Sequence, residues 1–413
     1  MDPLSALARR LLRHRLRGLA HGQLTLTDGS GTEQFGVPGV LDTTITVLDP
    51  RFYRAVIFGG AVAAGESYAA GWWTTHNLTS VVRLMVRNRA LLEAFETGPA
   101  RAVQPLRQVW HALRRNTLAG SRRNISAHYD LGNDFFECVL DDTLTYSCGI
   151  FTRPGATLRD AAIAKYDRIA QLLELSPDDH LLEIGTGWGG FAIHAATHYG
   201  CRVTTTTISE QQFAHAAERI STAGLSERIT LLKKDYRALT GQYTRLASIE
   251  MIEAVGHEHF ETFFDQCAAL LAPDGRAVVQ AITIDDARYE GARKEVDFIK
   301  RHIFPGSCIP SEAVLRRTST RAGFRIAQAD EIGLHYAETL RRWHANMAAH
   351  QEPLRAMGYD DRFQRLWAFY FCYCEGGFLE RAIGNLQITL VPAGSQAGPA
   401  RAVPSVPDVP AAA

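Results

Sequence analysis

An α/β fold built on a seven-stranded sheet is what this 413-residue sequence predicts, and two features predict it. One is the stretch Leu181 to Phe191, LLEIGTGWGGF. It is a short apolar run ending in the acid Glu183, followed by Gly185, Gly187, Gly189 and Gly190, after which Phe191 to Tyr199 reads as a helix. The other is an alternation of strand and helix patterns, with strands expected at 181–185, 202–208, 229–235, 246–252, 276–283, 325–332 and 386–391. A helix over Leu158 to Leu175 precedes them. Crossover helices between strands cover both faces of such a sheet. Ligands then bind outside the carboxyl ends of the strands, at the switch point beside the first of them.

Upstream the pattern differs. Leu4 to Leu19 mixes leucines with Arg9, Arg10, Arg13, Arg15 and Arg17, which reads as a basic amphipathic helix on a solvated or an anionic membrane surface. Residues 22 to 50 carry short strand-like runs broken by glycines and Asp28. From Asp49 the pattern is helical as far as GESYAAGWW, Gly65 to Trp73, read as a Gly-Glu-Ser turn beside two core tryptophans, with a lipid-facing surface as the alternative. Val81 to Phe95 is a further amphipathic helix. Residues 98 to 125 form a connector with surface arginines at 114, 115, 122 and 123. The expected division is therefore a smaller mixed domain with its connector over 1–120, the α/β domain over 121–391, and a disordered Pro/Ala-rich tail over 392–413.

Composition removes several classes of function. Lys+Arg and Asp+Glu both number 44, so the balance lacks the basic excess of a nucleic-acid binder. The seven cysteines are odd in number and include no Cys-x-x-Cys pair, which fits reduced thiols and no metal site. No uninterrupted apolar run approaches the ~18 residues that span a bilayer.

Strand, glycine turn and helix together form a nucleotide-binding unit, because glycines let a ligand approach bare amides at a helix N-terminus. Gly185-x-Gly187-x-x-Gly190 fits a dinucleotide fingerprint, but that site needs an acid at the end of the second strand. Here the second strand, RVTTTTIS, ends in hydroxyls with Glu210 and Gln211 beyond it. Glu183, two residues before the first glycine, instead suits the cationic amino acid moiety of S-adenosylmethionine. A turn that merely seats helix on strand is the bland alternative.

Nine segments in order then carry a resemblance: HYDLGNDFF (128–136), YSCGIF (146–151), LLEIGTGWGGFAIHAA (181–196), TTISEQQ (206–212), KDYRAL (234–239), MIEAVG (251–256), IFPGSCIPS (303–311), HYAETLRRW (335–343) and YCEGGFLERAIGNLQ (373–387). Over most of its length the chain resembles the cyclopropane-fatty-acyl-phospholipid synthases and the mycolic acid cyclopropane synthases. The resemblance implies a class I methyltransferase sheet, a smaller N-terminal domain, and a homodimer in the cytoplasm acting on unsaturated acyl chains of phospholipids at the membrane surface. It also implies transfer of one carbon from S-adenosylmethionine to a cis double bond, with a bicarbonate ion as the base.

By motif, the bicarbonate cradle would be Cys148, Glu253, Gln280, Ile282 and Tyr336, with backbone N–H groups from Cys148 and Ile282 and a hydroxyl from Tyr336. The donor pocket would use Tyr146, Ser147, Glu183, Gly185, Gly187, Gly189, Thr207, Ile208, Ser209, Gln211, Gln212, Asp235 and Tyr236. Cys374 matches a cysteine proposed as catalytic in the family, although a thiol in an aromatic helix (Trp367 to Phe378) suits a buried hydrophobe. Two departures bear on the chemistry: Gln280 and Ala254 stand where the family usually has histidines. Glutamine donates to an anion but carries no proton. Loss of a different proton would then give a methylene- or methyl-branched chain, completed by a partner reductase. A lipid-binding scaffold with a vestigial donor site and a small-molecule methyltransferase are the remaining readings.

Overall fold

A computed structural model describes residues 1–91 and 132–395. The connector, its four arginines, the boundary near 120, the start of HYDLGNDFF and the tail from 396 lie outside the described residues. Two compact units emerge. The first gathers described residues of Met1–Leu113 with Lys294–Ile303 and Leu340–Ala382, and the second takes the remainder. A single cut near 120 therefore differs from the observed division. The aromatic segment after 340 supplies the first unit with helical packing that its short strands lack.

In the first unit, strands β1 (Gln23–Asp28), β2 (Gly31–Gly36), β3 (Asp42–Val47) and β4 (Trp73–Thr74) form a sheet of order β2-β1-β3-β4. Helix α1 (Pro3–Leu16) buries Ala8, Leu12 and Leu16 and leaves Leu4, Leu7 and Leu11 exposed. Its Arg9 pairs with Asp28 at 2.6 Å and its Arg13 with Glu33 at 2.8 Å. Helix α2 (Arg51–Ala69) contains Gly65, Glu66 and Ser67, so the expected turn there is instead helix. Gly65 serves packing: a Cβ would stand 2.6 Å from the Phe298 ring and 2.7 Å from the Phe369 ring. Trp73 is core, and Trp72 lies under the Arg51 guanidinium. Helix α3 (Leu78–Arg87) starts earlier than its hydrophobic pattern, because Asn77 caps it by accepting from Ser80 N.

The second unit holds strands β5 (His180–Ile184), β6 (Arg202–Thr206), β7 (Ile229–Leu232), β8 (Tyr243–Ile249), β9 (Leu271–Ile284), β10 (Phe324–Glu331) and β11 (Ile383–Pro392). Their order is β10-β11-β9-β8-β5-β6-β7, so the sheet reverses direction of growth at β5. Pairs from β9 through to β7 are parallel, while β11 runs antiparallel to both neighbours. Both faces are buried. Leu181 and Val278 join one apolar cluster with Ile169, Phe191 and Ile220, whereas their chain neighbours Leu182 and Val279 join another with Phe260 and Phe263. Strand alternation delivers successive side chains to opposite faces, which is why these strands read as continuous apolar runs.

Helix α4 (Leu158–Leu173) begins with a capping box between Thr157 and Asp160. Helix α5 (Gly190–His198) has no side-chain cap, so its first amides remain available. Helix α6 (Glu210–Thr222) is capped by Ser209, and α7 (Gly333–Ala349) runs from this unit into the first. The aromatic helix α8 (Asp361–Leu379) belongs to the first unit.

Candidate active site

The glycine elbow after β5 is held by two bonds, from Gly185 N and Thr186 N to Thr206 O at 3.1 and 3.0 Å. Gly185, Gly187 and Gly189 all adopt positive φ, which only glycine takes without strain. A Cβ on Gly187 would meet nothing within 4 Å, so its open side can receive a ligand. Gly190 differs, since a Cβ there would stand 2.3 Å from Tyr166 Oη.

Glu183 is buried beneath the elbow and accepts from Thr205 Oγ1 at 2.5 Å. Burial pushes its carboxyl up to about 8, against a lowering pull from the Thr205 bond and the Lys165 charge. Thr207 Oγ1 donates to Gln212 Oε1 and accepts from Ser209 N, closing the turn that carries Ile208 and Gln211. Asp235 caps the following turn and pairs with Arg237 at 2.7 Å. The Tyr236 hydroxyl is buried with no hydrogen-bond partner among the described residues. An orphaned hydroxyl, bare helix amides and an open glycine face fit a nucleoside with an amino acid arm. When bound, S-adenosylmethionine would supply an electrophilic methyl group here.

Tyr146, Ser147 and Cys148 lie on the segment before α4. Gly149 N donates to Thr339 Oγ1, and Phe151 N to His335 Nδ1, which fix that segment on α7. Tyr146 meets Phe136 edge to face and Phe304 at a tilt. Ser147 Oγ accepts from Lys165 Nζ at 2.6 Å. Lys165 is fully buried, its pKa pushed down to about 8 by burial and held up by Glu250 and other carboxylates.

Four donors converge on a residue that the sequence reading did not single out, Glu250, just after β8. Its Oε1 accepts from Cys148 N at 3.0 Å, Gln280 Nε2 at 2.7 Å and Asn385 Nδ2 at 2.7 Å. Its Oε2 accepts from Tyr336 Oη at 2.7 Å. Antiparallel register puts Gln387 opposite Gln280 and Asn385 opposite Ile282, so all three side-chain amides come from paired strands. Arg168 Nε donates to Gln387 Oε1, and Gln387 Nε2 donates to Gln280 Oε1. Arg168 also pairs with Asp330 at 2.8 Å.

Glu253 sits on the short turn Ile252–Ala254, where its Oε1 accepts from Ile282 N. Its Oε2 is buried with no hydrogen-bond partner among the described residues. Burial, then the nearby Glu250 charge, push this carboxyl up to about 8. Between the two acids, Met251 abuts the elbow: a Cβ on Gly185 would stand 3.3 Å from Met251 Cβ. The carboxyls thus flank a residue that packs on the glycine elbow.

Cys148, Gln280, Ile282, Tyr336 and Glu253 do come together, but not around an open anion site. Each carried-over donor already bonds a carboxyl of the chain itself. A bicarbonate would have to displace Glu250 and lie beside two acids, so the residues do not fit that ion. Burial holds the Cys148 thiol well above its ordinary range, with the Glu250 charge adding to it. Cys374 lies on α8 of the first unit, where burial likewise raises its thiol. Among the described residues no cluster of His, Cys, Asp or Glu could hold a metal ion. Sequence reasoning also passed over Lys165, Arg168, Asn385 and Gln387. The available signal was an acid at the carboxyl end of a parallel strand beside the switch point.

The mycolic acid cyclopropane synthetase family matches residues 117–388. The tuberculostearic acid methyltransferase UfaA1 of Mycobacterium tuberculosis is 34% identical, covering 94% of this chain and 91% of its own. The cyclopropane-fatty-acyl-phospholipid synthase of Escherichia coli K12 is 32% identical, covering 85% of this chain and 88% of its own. A solved cyclopropane synthase, MmaA2 from Mycobacterium tuberculosis, superposes with a TM-score of 0.61 at 30% identity, covering 65% of this chain and 97% of its own. The mycolic acid cyclopropane synthase CmaA1, complexed with SAH and CTAB, gives the same values. The family match, the relatives and the seven-stranded sheet together define an S-adenosylmethionine-dependent methyltransferase. Within that class, the chain belongs to the mycolic acid cyclopropane synthetase family.

Proposed function

We propose that this enzyme transfers one carbon from S-adenosylmethionine to the cis double bond of an unsaturated acyl chain in a membrane phospholipid, closing a cyclopropane ring. The observation that carries the reading is the pair Glu250 and Glu253, set at the carboxyl end of β8 with Met251 against the elbow. In this reaction the alkene π pair bonds the methyl carbon as the C–S bond breaks, its electrons remaining on sulfur. The chain then bears a cation at the other alkene carbon. A base removes a proton from the new methyl, and that C–H pair closes the ring. The alkene is a weak nucleophile, so positioning at near-contact distance in a dry site supplies much of the rate. Tyr146, flanked by Phe136 and Phe304, offers aromatic faces suited to a cation.

A second reading has support of its own, from the relative named a tuberculostearic acid methyltransferase, which matches over most of both chains. A hydride shift would move the cation to the carbon bearing the new methyl, and loss of a proton from that methyl would leave a methylene branch, which a partner reductase would saturate. The exposed Leu4, Leu7 and Leu11 of α1, among exposed arginines such as Arg10, support work at an anionic membrane surface. Expression in a cyclopropane-free bacterium with unsaturated phospholipids, followed by proton NMR of the acyl chains, separates the outcomes. Upfield ring signals support closure, terminal-alkene signals support the branch, and neither product removes both.

A further inference from the structure

We propose that Glu250 is the base of this reaction, a carboxylate built into the chain at the place where an external anion would otherwise bind, so that turnover requires no bicarbonate. This rests on the reading of one-carbon transfer to an alkene given above. Three observations converge on it.

The first is the donor set. Cys148 N, Gln280 and Asn385 hold Oε1, while among the described residues Oε2 carries only the Tyr336 hydroxyl. A carboxylate oxygen has two lone pairs, so Oε2 keeps one for a proton. The second is exposure. Gln280 and Asn385 are fully buried and Tyr336 is 5% exposed, yet Glu250 is only partly covered. The carboxyl is anchored by buried groups on a residue that is not itself fully buried. The third is backbone strain. Glu250 has φ 51°, the left-handed region, at a cost of about 1–2 kcal/mol for a side chain with a Cβ. Such strain persists where the surroundings over-determine it, and here four hydrogen bonds do so.

The proton balance is simple. The C–H bond of the transferred carbon breaks, its electron pair closes the ring on the cationic carbon, and the proton passes to Glu250 Oε2. It leaves to solvent before the next turnover. Glu253 bonds Ile282 N and lies beside Glu250, where it acts as a positioning residue for the β8–β9 crevice.

The test uses the full-length enzyme and two variants. Glu250→Gln keeps the side chain's shape without a basic oxygen. Glu250→Gly empties the cradle and relieves the left-handed strain, which protects folding. Carbon-13 bicarbonate titration followed by NMR should show no saturable binding to the parent and saturable binding to Glu250→Gly. Parent turnover on vesicles of unsaturated phospholipid should be equal in carbon-dioxide-stripped and bicarbonate-supplemented buffer. Both variants should lose about 10²- to 10⁴-fold in turnover while still binding S-adenosylmethionine. Added bicarbonate should restore Glu250→Gly in part and leave Glu250→Gln inactive. Saturable bicarbonate binding by the parent, or turnover retained in Glu250→Gln, overturns the proposal. A parent that turns over no unsaturated phospholipid defeats the functional reading instead, and the titration still decides who occupies the cradle.

Discussion

Gln280 and Gln387 face each other across the antiparallel pair β9–β11, and Gln387 Nε2 donates to Gln280 Oε1 at 2.9 Å. An amide has its donor and acceptor on opposite limbs, so this bond turns the Gln280 NH2 group toward Glu250. Arg168 orients Gln387 in the same way from α4. A charged guanidinium thus reaches the carboxyl through two neutral amides that cannot flip without losing partners.

Gln387→Leu breaks this relay while nearly conserving volume. Gln280 Oε1 and Arg168 Nε lose a buried partner, at about 1–3 kcal/mol for each orphaned group. The expected outcome is lower stability in urea and single-turnover rates reduced by about tenfold or more. Affinity for S-adenosylmethionine by calorimetry should stay unchanged. A parental rate would show that the orientation of Gln280 does not matter.

Two glycines of one motif should fail differently. Gly187→Ala puts a methyl group into the open side of the elbow at φ 53°, so donor affinity should drop sharply with a modest loss of melting temperature. Gly190→Ala forces a methyl group to within 2.3 Å of Tyr166 Oη and should lower the melting temperature much more. The contrast disappears if both positions are purely structural.

Glu253 has its folded pKa raised from 4.5 to about 8. Between those values the folded chain keeps a proton that the unfolded chain releases, so stability falls as pH rises through that window. Glu253→Gln, which keeps a neutral side chain and an acceptor for Ile282 N, should flatten this slope. Melting temperatures at mildly acidic and mildly alkaline pH, compared between parent and variant, check it; parallel curves would contradict it.

Cys374→Ser should retain turnover, since burial raises the thiol and disfavours a nucleophilic thiolate. Cys148→Ala should behave alike, because its backbone N–H supplies the bond to Glu250. A large loss of turnover with an intact fold would restore a chemical role to either thiol.

Local pattern determined much of this molecule. A strand, four clustered glycines and a helix are contiguous in sequence, so the glycine elbow between β5 and α5 was legible from residues alone. All seven strands were likewise visible, the central ones because burial on both faces gives them compact apolar runs such as those of β5 and β9, although the edge strand β10 is polar and largely uncovered. The helical course of Gly65 was not visible, since the Phe298 and Phe369 rings that demand a glycine there come from more than two hundred residues downstream. The partners of Glu250 were equally hidden. By itself it is an acid at the carboxyl end of a parallel strand, which marks the crevice but not what surrounds it. Only the antiparallel return of β11 beside β9, with Cys148 and Tyr336 brought in from other segments, turns it into a carboxylate with four donors. Periodicity encodes which face of an element is buried, whereas hydrogen-bond partners depend on register between strands far apart in the chain.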